Sequence, residues 1–255
     1  MPAHRLEIAG LGLLVALSAL AARAAVPIQD WTAFAAQAGA LQPAREFPHM
    51  DCFRRAAEAH GVPLVLLLAV ARGESDFDSK AHSRAEALGV MQIRWPTTAR
   101  HLGIRRRSDL FEPCTNIDAG ARYLAELIER YGGDLRRAVA AYNYGPGRID
   151  TRGSLPRGAR WYADYVLRHL RYVVSAESGP DRYAAERRHP LLRFGRPYRA
   201  QAFADSLMGR TPGLRLEVFR TPQGDFQVVL LTADQAELIR SRRLLRRLGF
   251  EVAGS

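Results

Sequence analysis

Residues 63–77 read Pro63-Leu64-Val65-Leu66-Leu67-Leu68-Ala69-Val70-Ala71-Arg72-Gly73-Glu74-Ser75-Asp76-Phe77. Leu64 to Ala71 are apolar without interruption, so a helix built from them has no polar face to offer water. The stretch Leu64 to Arg72 therefore reads as a buried helix entered through Pro63. Glu74 follows at its C-terminal end, where a buried element holds the carboxyl toward a cleft rather than open solvent. Burial disfavours the charged form of a carboxyl, so such a group can hand a proton to a leaving atom at neutral pH and later withdraw one. One carboxyl can then serve two half-reactions.

Outward from this helix, the spacing of apolar residues predicts further helices at Trp31 to Ala38, Asp51 to Ala59, Trp95 to Leu102, Leu135 to Asn143 and Gly158 to Val174. Another is expected at Ile117 to Tyr131 with Asn116 as its N-cap. A polar stretch bearing Gly and Pro, Ser175 to Pro190, reads as a linker. After it come a strand at Leu191 to Phe194, a helix at Tyr198 to Met208, strands at Leu214 to Phe219 and Asp225 to Leu231, a helix at Ala233 to Leu248 and a strand at Phe250 to Ala253. The expected class is α+β: a mainly α unit, then a small βαββαβ domain with two helices on one face of its sheet. The expected domains are 1–25 signal peptide, 26–50 lead-in, 51–175 helical unit, 176–190 linker and 191–255 small α+β domain.

His4 and Arg5 precede an apolar run from Leu6 to Ala22 that ends at Ala22-Arg23-Ala24, the order of a secretory signal peptide. Two fates stay open: cleavage near Ala24, or retention as an anchor, the only route to membrane association. Either puts the remainder outside the cytoplasm, and a periplasmic location is expected. The formal charge is +11, and of 37 basic residues only Lys80 is lysine, so a general arginine bias accounts for part of the surplus. A basic surface suits an anionic polymer, nucleic acid or a carboxylate-bearing wall, and export argues against nucleic acid. The only cysteines, Cys52 and Cys114, are an even pair in an exported chain and are expected to form a disulfide. No C-x-x-C or H-x-x-x-H spacing accompanies them, so neither a metal site nor a cofactor is expected.

Four blocks then occur in order: Glu74-Ser75-x-Phe77; Ser83 with Gly89-Val90-Met91-Gln92-Ile93; Phe111-Glu112-Pro113-Cys114-Thr115-Asn116-Ile117-x-Ala119-Gly120; and Ala141-Tyr142-Asn143-x-Gly145-Pro146-Gly147. The ordered set, over about Asp51 to Leu170, resembles the soluble lytic transglycosylase family. The third block has the cysteine-bearing form of the branch attached to conjugation and secretion systems. The resemblance implies a lysozyme-like α fold that cuts the β-1,4 bond between N-acetylmuramic acid and N-acetylglucosamine in peptidoglycan without water, leaving a 1,6-anhydro sugar. Glu74 takes the position of the catalytic acid and base. By the same correspondence Ser83 and Gln92 line the saccharide cleft, Met91 supports it, Tyr142 and Asn143 close the catalytic side with the phenol near Glu74, and Tyr165 resembles a later cleft tyrosine.

Three departures stand out: Glu86 where many members have glycine, Arg94 where methionine is common, and Leu155-Pro156-Arg157-Gly158, which lacks the usual Glu-Thr before the late tyrosine. Arg84 and Arg94 are candidates to contact wall carboxylates. The C-terminal element order weakly resembles the sporulation-related repeat domain. From Arg182 to Ser255 there are 14 Arg against seven Asp and Glu, which suggests docking on the wall or on a secretion partner. A hydrolytic muramidase, which needs a second carboxylate, and a non-catalytic wall-binding protein remain as alternatives.

Overall fold

The computed structural model describes residues 28–175, 187–195, 197–221 and 223–250. The signal segment, most of the expected linker and the expected last strand beyond Phe250 lie outside the described residues. Among the described residues, seven α-helices form the first unit: α1 (Trp31–Ala35), α2 (Met50–His60), α3 (Leu64–Ser75), α4 (Thr97–His101), α5 (Pro113–Arg130), α6 (Leu135–Tyr144) and α7 (Arg157–Val174). Between α3 and α4 lies a short antiparallel ribbon, β1 (Ala87–Leu88) with β2 (Ile93–Arg94), which alternation over two residues is too short to announce.

Helix α3 is the centre of the unit, buried from Val65 through Ser75. It continues three residues past the expected end at Arg72, so Glu74 sits on the helix itself, and Asp76 in the left-handed conformation terminates it. Leu66, Leu67 and Leu68 are fully buried, and each such side chain contributes about 2 kcal/mol relative to exposure. Helix α7 packs closely along α3. A Cβ on Gly73 would lie 3.0 Å from the Tyr165 ring and 3.2 Å from His169, so glycine permits this approach.

Helix α5 begins at Pro113 rather than Ile117, with proline in its first turn, where the missing N–H costs nothing. Asn116 is thus not an N-cap but a buried interior residue. Its Nδ2 donates to Leu88 O and Leu110 O, both at 2.9 Å, and its Oδ1 accepts from Met91 N at 2.6 Å. One amide therefore fixes the ribbon segment against α5. Gly89 turns that segment at a φ of 71°, where a side chain would collide with Leu110 O and Asn116. Cys52 on α2 is joined to Cys114 on α5, as expected.

The second unit contains β3 (Arg187–Phe194), α8 (Pro197–Arg210), β4 (Leu216–Arg220), β5 (Phe226–Thr232) and α9 (Gln235–Arg247). Strand β3 starts at Arg187, so residues 187–190 are sheet rather than linker. The sheet is antiparallel in the order β3-β5-β4, with Leu216 opposite Leu230 and Val218 opposite Val228. Those four residues pack with Ala200, Ala204, Leu238 and Leu245 from the two helices. The alternate residues of β4, Glu217 and Phe219, turn toward the first unit, where the Phe219 ring lies 5.0 Å from the Arg72 guanidinium. The sheet therefore has two covered faces.

Breaking the 62-residue disulfide loop by Cys52→Ser with Cys114→Ser is expected to cost about 2–4 kcal/mol of stability. Denaturant unfolding with and without reductant checks this, and an unchanged midpoint would contradict it. Asn116→Ala strands two carbonyls and one N–H in the interior, so it is expected to lose about 3 kcal/mol or more; the same unfolding measurement reads that loss.

Candidate active site

Glu74 is 2% exposed. Its Oε1 accepts from the Tyr162 hydroxyl at 2.5 Å and its Oε2 accepts from Arg220 Nη1 at 2.5 Å. Tyr162 comes from α7 and Arg220 from the end of β4, so the carboxylate sits where the two units meet. This corrects the expectation of a carboxyl facing a cleft: strand β4 covers it. The Tyr162 phenol is raised well above its ordinary pKa, first by burial and then by the charge of Glu74, and it stays a donor. Burial alone would lower the Arg220 guanidinium, but the charge of Glu74 and the hydrogen bond to it raise it. An ion pair with both charges withdrawn from water in this way has the short, charge-assisted geometry of a strong contact.

Arg72, two residues earlier, is 1% exposed and is held by the same two elements, α7 and β4. It donates to His169 Nδ1 at 2.5 Å and to Glu217 Oε2 at 2.6 Å, and its guanidinium lies 3.7 Å from the Tyr172 ring centre. Burial, with the nearby Arg72 and Arg168 charges, holds His169 well below its usual pKa, so the imidazole is neutral and accepts from Arg72. Asp76 pairs with Arg188 of β3.

The other expected site residues fall into two groups. Gln92, Tyr142 and Asn143 line one open groove of about 700 Å³ together with Arg94, Tyr123 and Arg148. Gln92 adopts a φ of 52°; its Nε2 donates to Gly89 O at 3.0 Å, which fixes the amide, while its Oε1 has no partner. The Tyr142 hydroxyl donates to Met91 O at 2.8 Å rather than to Glu74. Burial and then the charge of Glu74 raise that phenol well above its usual pKa.

Ser83, Met91 and Tyr165 are buried instead. Ser83 Oγ accepts from Ala87 N at 3.0 Å and holds the turn before β1. Met91 is fully buried, against Gly120, and supports the groove from beneath. Tyr165 donates to Gly73 O at 2.8 Å and stacks on Trp161, so it braces the backbone of α3 and does not line the groove with Gln92 and Tyr142. The tyrosine that reaches Glu74 is Tyr162, one helical turn before Tyr165 on the same face of α7. Reading α7 at helical spacing would have found it; nothing local marks Arg220.

Glu86 has a φ of 56°, a backbone value that suits the glycine common there in the family. Its carboxyl lies below the ordinary range because His82 and then Arg107 hydrogen-bond it. Among the described residues, no cluster of His, Cys, Asp and Glu gathers to hold a metal ion, and no helix is long and apolar enough to cross a membrane.

The chain is 37% identical over 119 residues to membrane-bound lytic murein transglycosylase C of Edwardsiella ictaluri, and 35% identical over 119 residues to that of Yersinia enterocolitica. Each alignment covers 41% of this chain and 33% of the relative, so the chain spans about a third of the length of these curated relatives. The solved 70 kDa soluble lytic transglycosylase of Escherichia coli is 32% identical with a TM-score of 0.44, covering 49% of this chain and 24% of that one. Residues 51–161 of the helical unit, which include Glu74, match the family described as Transglycosylase SLT domain.

Proposed function

We propose that this protein is a peptidoglycan lytic transglycosylase in which Glu74 is the general acid and base. The observation that carries the reading is the position of Glu74: a buried carboxyl on the last turn of an apolar helix, inside the segment that matches a transglycosylase family, with a phenol donating to one of its oxygens. In its protonated form Glu74 gives its proton to the glycosidic oxygen as the bond to the muramyl C1 breaks. As a carboxylate it then takes the proton of the C6 hydroxyl of the same sugar, whose oxygen bonds to C1. The proton returns to Glu74 and no water is consumed. Tyr162 holds Oε1 and so orients the group through both steps.

The nucleophile belongs to the substrate, so no second carboxylate is needed. The carboxylates nearest in sequence are engaged elsewhere, Asp76 with Arg188, Asp78 with the Lys80 N–H, and Glu86 with His82 and Arg107. That argues against a hydrolytic muramidase, which needs a second carboxylate at the scissile bond to act on a water or on the sugar. In this reading the groove lined by Gln92, Arg94, Tyr142, Asn143 and Arg148 takes the glycan strand, and its two arginines suit the wall's carboxylates. The protein acts in the cell envelope. The cysteine-bearing entry to α5 supports service to a conjugation or secretion apparatus, for which local opening of the wall is required.

Mass spectrometry of purified peptidoglycan digested by the wild type and by Glu74→Gln tests the reading. Anhydromuropeptides, lighter by one water than reducing-end products, are expected from the wild type, and their rate of release is expected to fall by at least about a hundredfold in the variant. Reducing-end muropeptides, or equal rates from both proteins, would contradict it.

A further inference from the structure

The second unit meets the first at the one carboxyl that the proposed reaction uses. Along the end of α3, Arg72 pairs with Glu217, Glu74 with Arg220 and Asp76 with Arg188. All three partners lie on β3 or β4. The turn after β4 continues over the ribbon segment: Arg84 N lies 3.5 Å from Gln223 O, Arg84 Nη1 3.9 Å from Asp225, and a Cβ on Gly224 would lie 3.9 Å from Ser83. Trp161 on α7 meets Phe226 of β5 edge to face at 5.5 Å.

This arrangement conflicts with catalysis in two ways. A carboxylate bound to a guanidinium is an acceptor only and has no proton to give. Both oxygens of Glu74 are also occupied, one by Tyr162 and the other by Arg220, and the group is 2% exposed, so a glycosidic oxygen cannot come within hydrogen-bonding distance. The open groove at Gln92 and Tyr142 stops short of it, since Glu74 is not among the residues that line that groove. Of the two oxygen partners, Tyr162 is fixed within the first unit by α7, whereas Arg220 arrives with a strand of the second.

We infer that the C-terminal sheet is an autoinhibitory cover, with Arg220 as the latch that neutralises and occludes Glu74. The inference rests on the proposed role of Glu74. The contacts that cross the boundary are largely ionic, and interfaces of this kind within a chain allow the units to separate. Withdrawal of β4 and its following turn would free one oxygen of Glu74, leave Tyr162 on the other, and join the carboxyl to the groove.

The test uses the full chain with two variants, Arg220→Gln and Glu217→Gln, the second loosening the same strand through Arg72 while leaving Arg220 intact. Thermal melts establish that each folds. Anhydromuropeptide release is measured for all proteins, alongside backbone hydrogen exchange over residues 216–224. Release is expected to rise about tenfold in both variants, with faster exchange over that segment.

A rate that is unchanged or falls in Arg220→Gln, with a wild type that makes anhydro products, overturns the latch and leaves the proposed reaction standing. Acceleration of a reducing-end product supports the latch and overturns the reaction. Absence of product from all three proteins overturns both.

Discussion

The structure depends on the burial of a helix that ends in charge. Helix α3 is apolar for its first eight residues and must be wrapped on every side, yet Arg72 and Glu74 in its last turn are as buried as its leucines. An unpaired ion in that position costs several kcal/mol, and removing one partner of a buried pair is similarly expensive. Each charge therefore requires a partner delivered by another element. Helix α7 supplies His169 and Tyr162, and strand β4 supplies Glu217 and Arg220. The docking of the second unit and the condition of Glu74 are consequently one physical fact: whatever shifts β4 changes the partners of the carboxyl.

Much of this was legible in the sequence. The uninterrupted apolar run required a buried helix, and the helical spacing around it located the other α-helices described in the first unit to within a few residues. The paired cysteines indicated their own bridge. Helix ends were harder, because propensity does not record what packs on the last turn. Arg72-Gly73-Glu74 reads as a helix stop until α7 closes on Gly73 and β4 supplies partners for the two charges. Asn116 departs from its expected capping role for a related reason. Asparagine favours N-caps through local hydrogen bonds, but here the amide spends its bonds on Leu88, Leu110 and Met91, residues distant in sequence that only the fold brings near.

The site was legible in part. Glu74, Gln92, Tyr142 and Asn143 were named from motif residues, and the last three line one groove. Ser83, Met91 and Tyr165 are structural, each satisfying the backbone or filling the core beside the groove. Tyr162 carries no motif signal of its own, whereas the late-tyrosine resemblance points to Tyr165 one turn later. Arg220 had no signal at all: an arginine at the end of a strand in a basic, arginine-rich segment looks like a solvated charge until its distance to Glu74 is measured.

On the proposed reading, the chemistry asks little of the protein beyond one carboxyl, a phenol to orient it and a groove that brings the muramyl C6 hydroxyl to its own C1. The absence of water from the reaction is the claim on which the rest turns. Digestion of peptidoglycan in water enriched in heavy oxygen, followed by mass spectrometry of the new glycan ends, tests it most directly. The account predicts products with no label, closed as anhydro ends; heavy oxygen on C1 of the new muramyl end would contradict it.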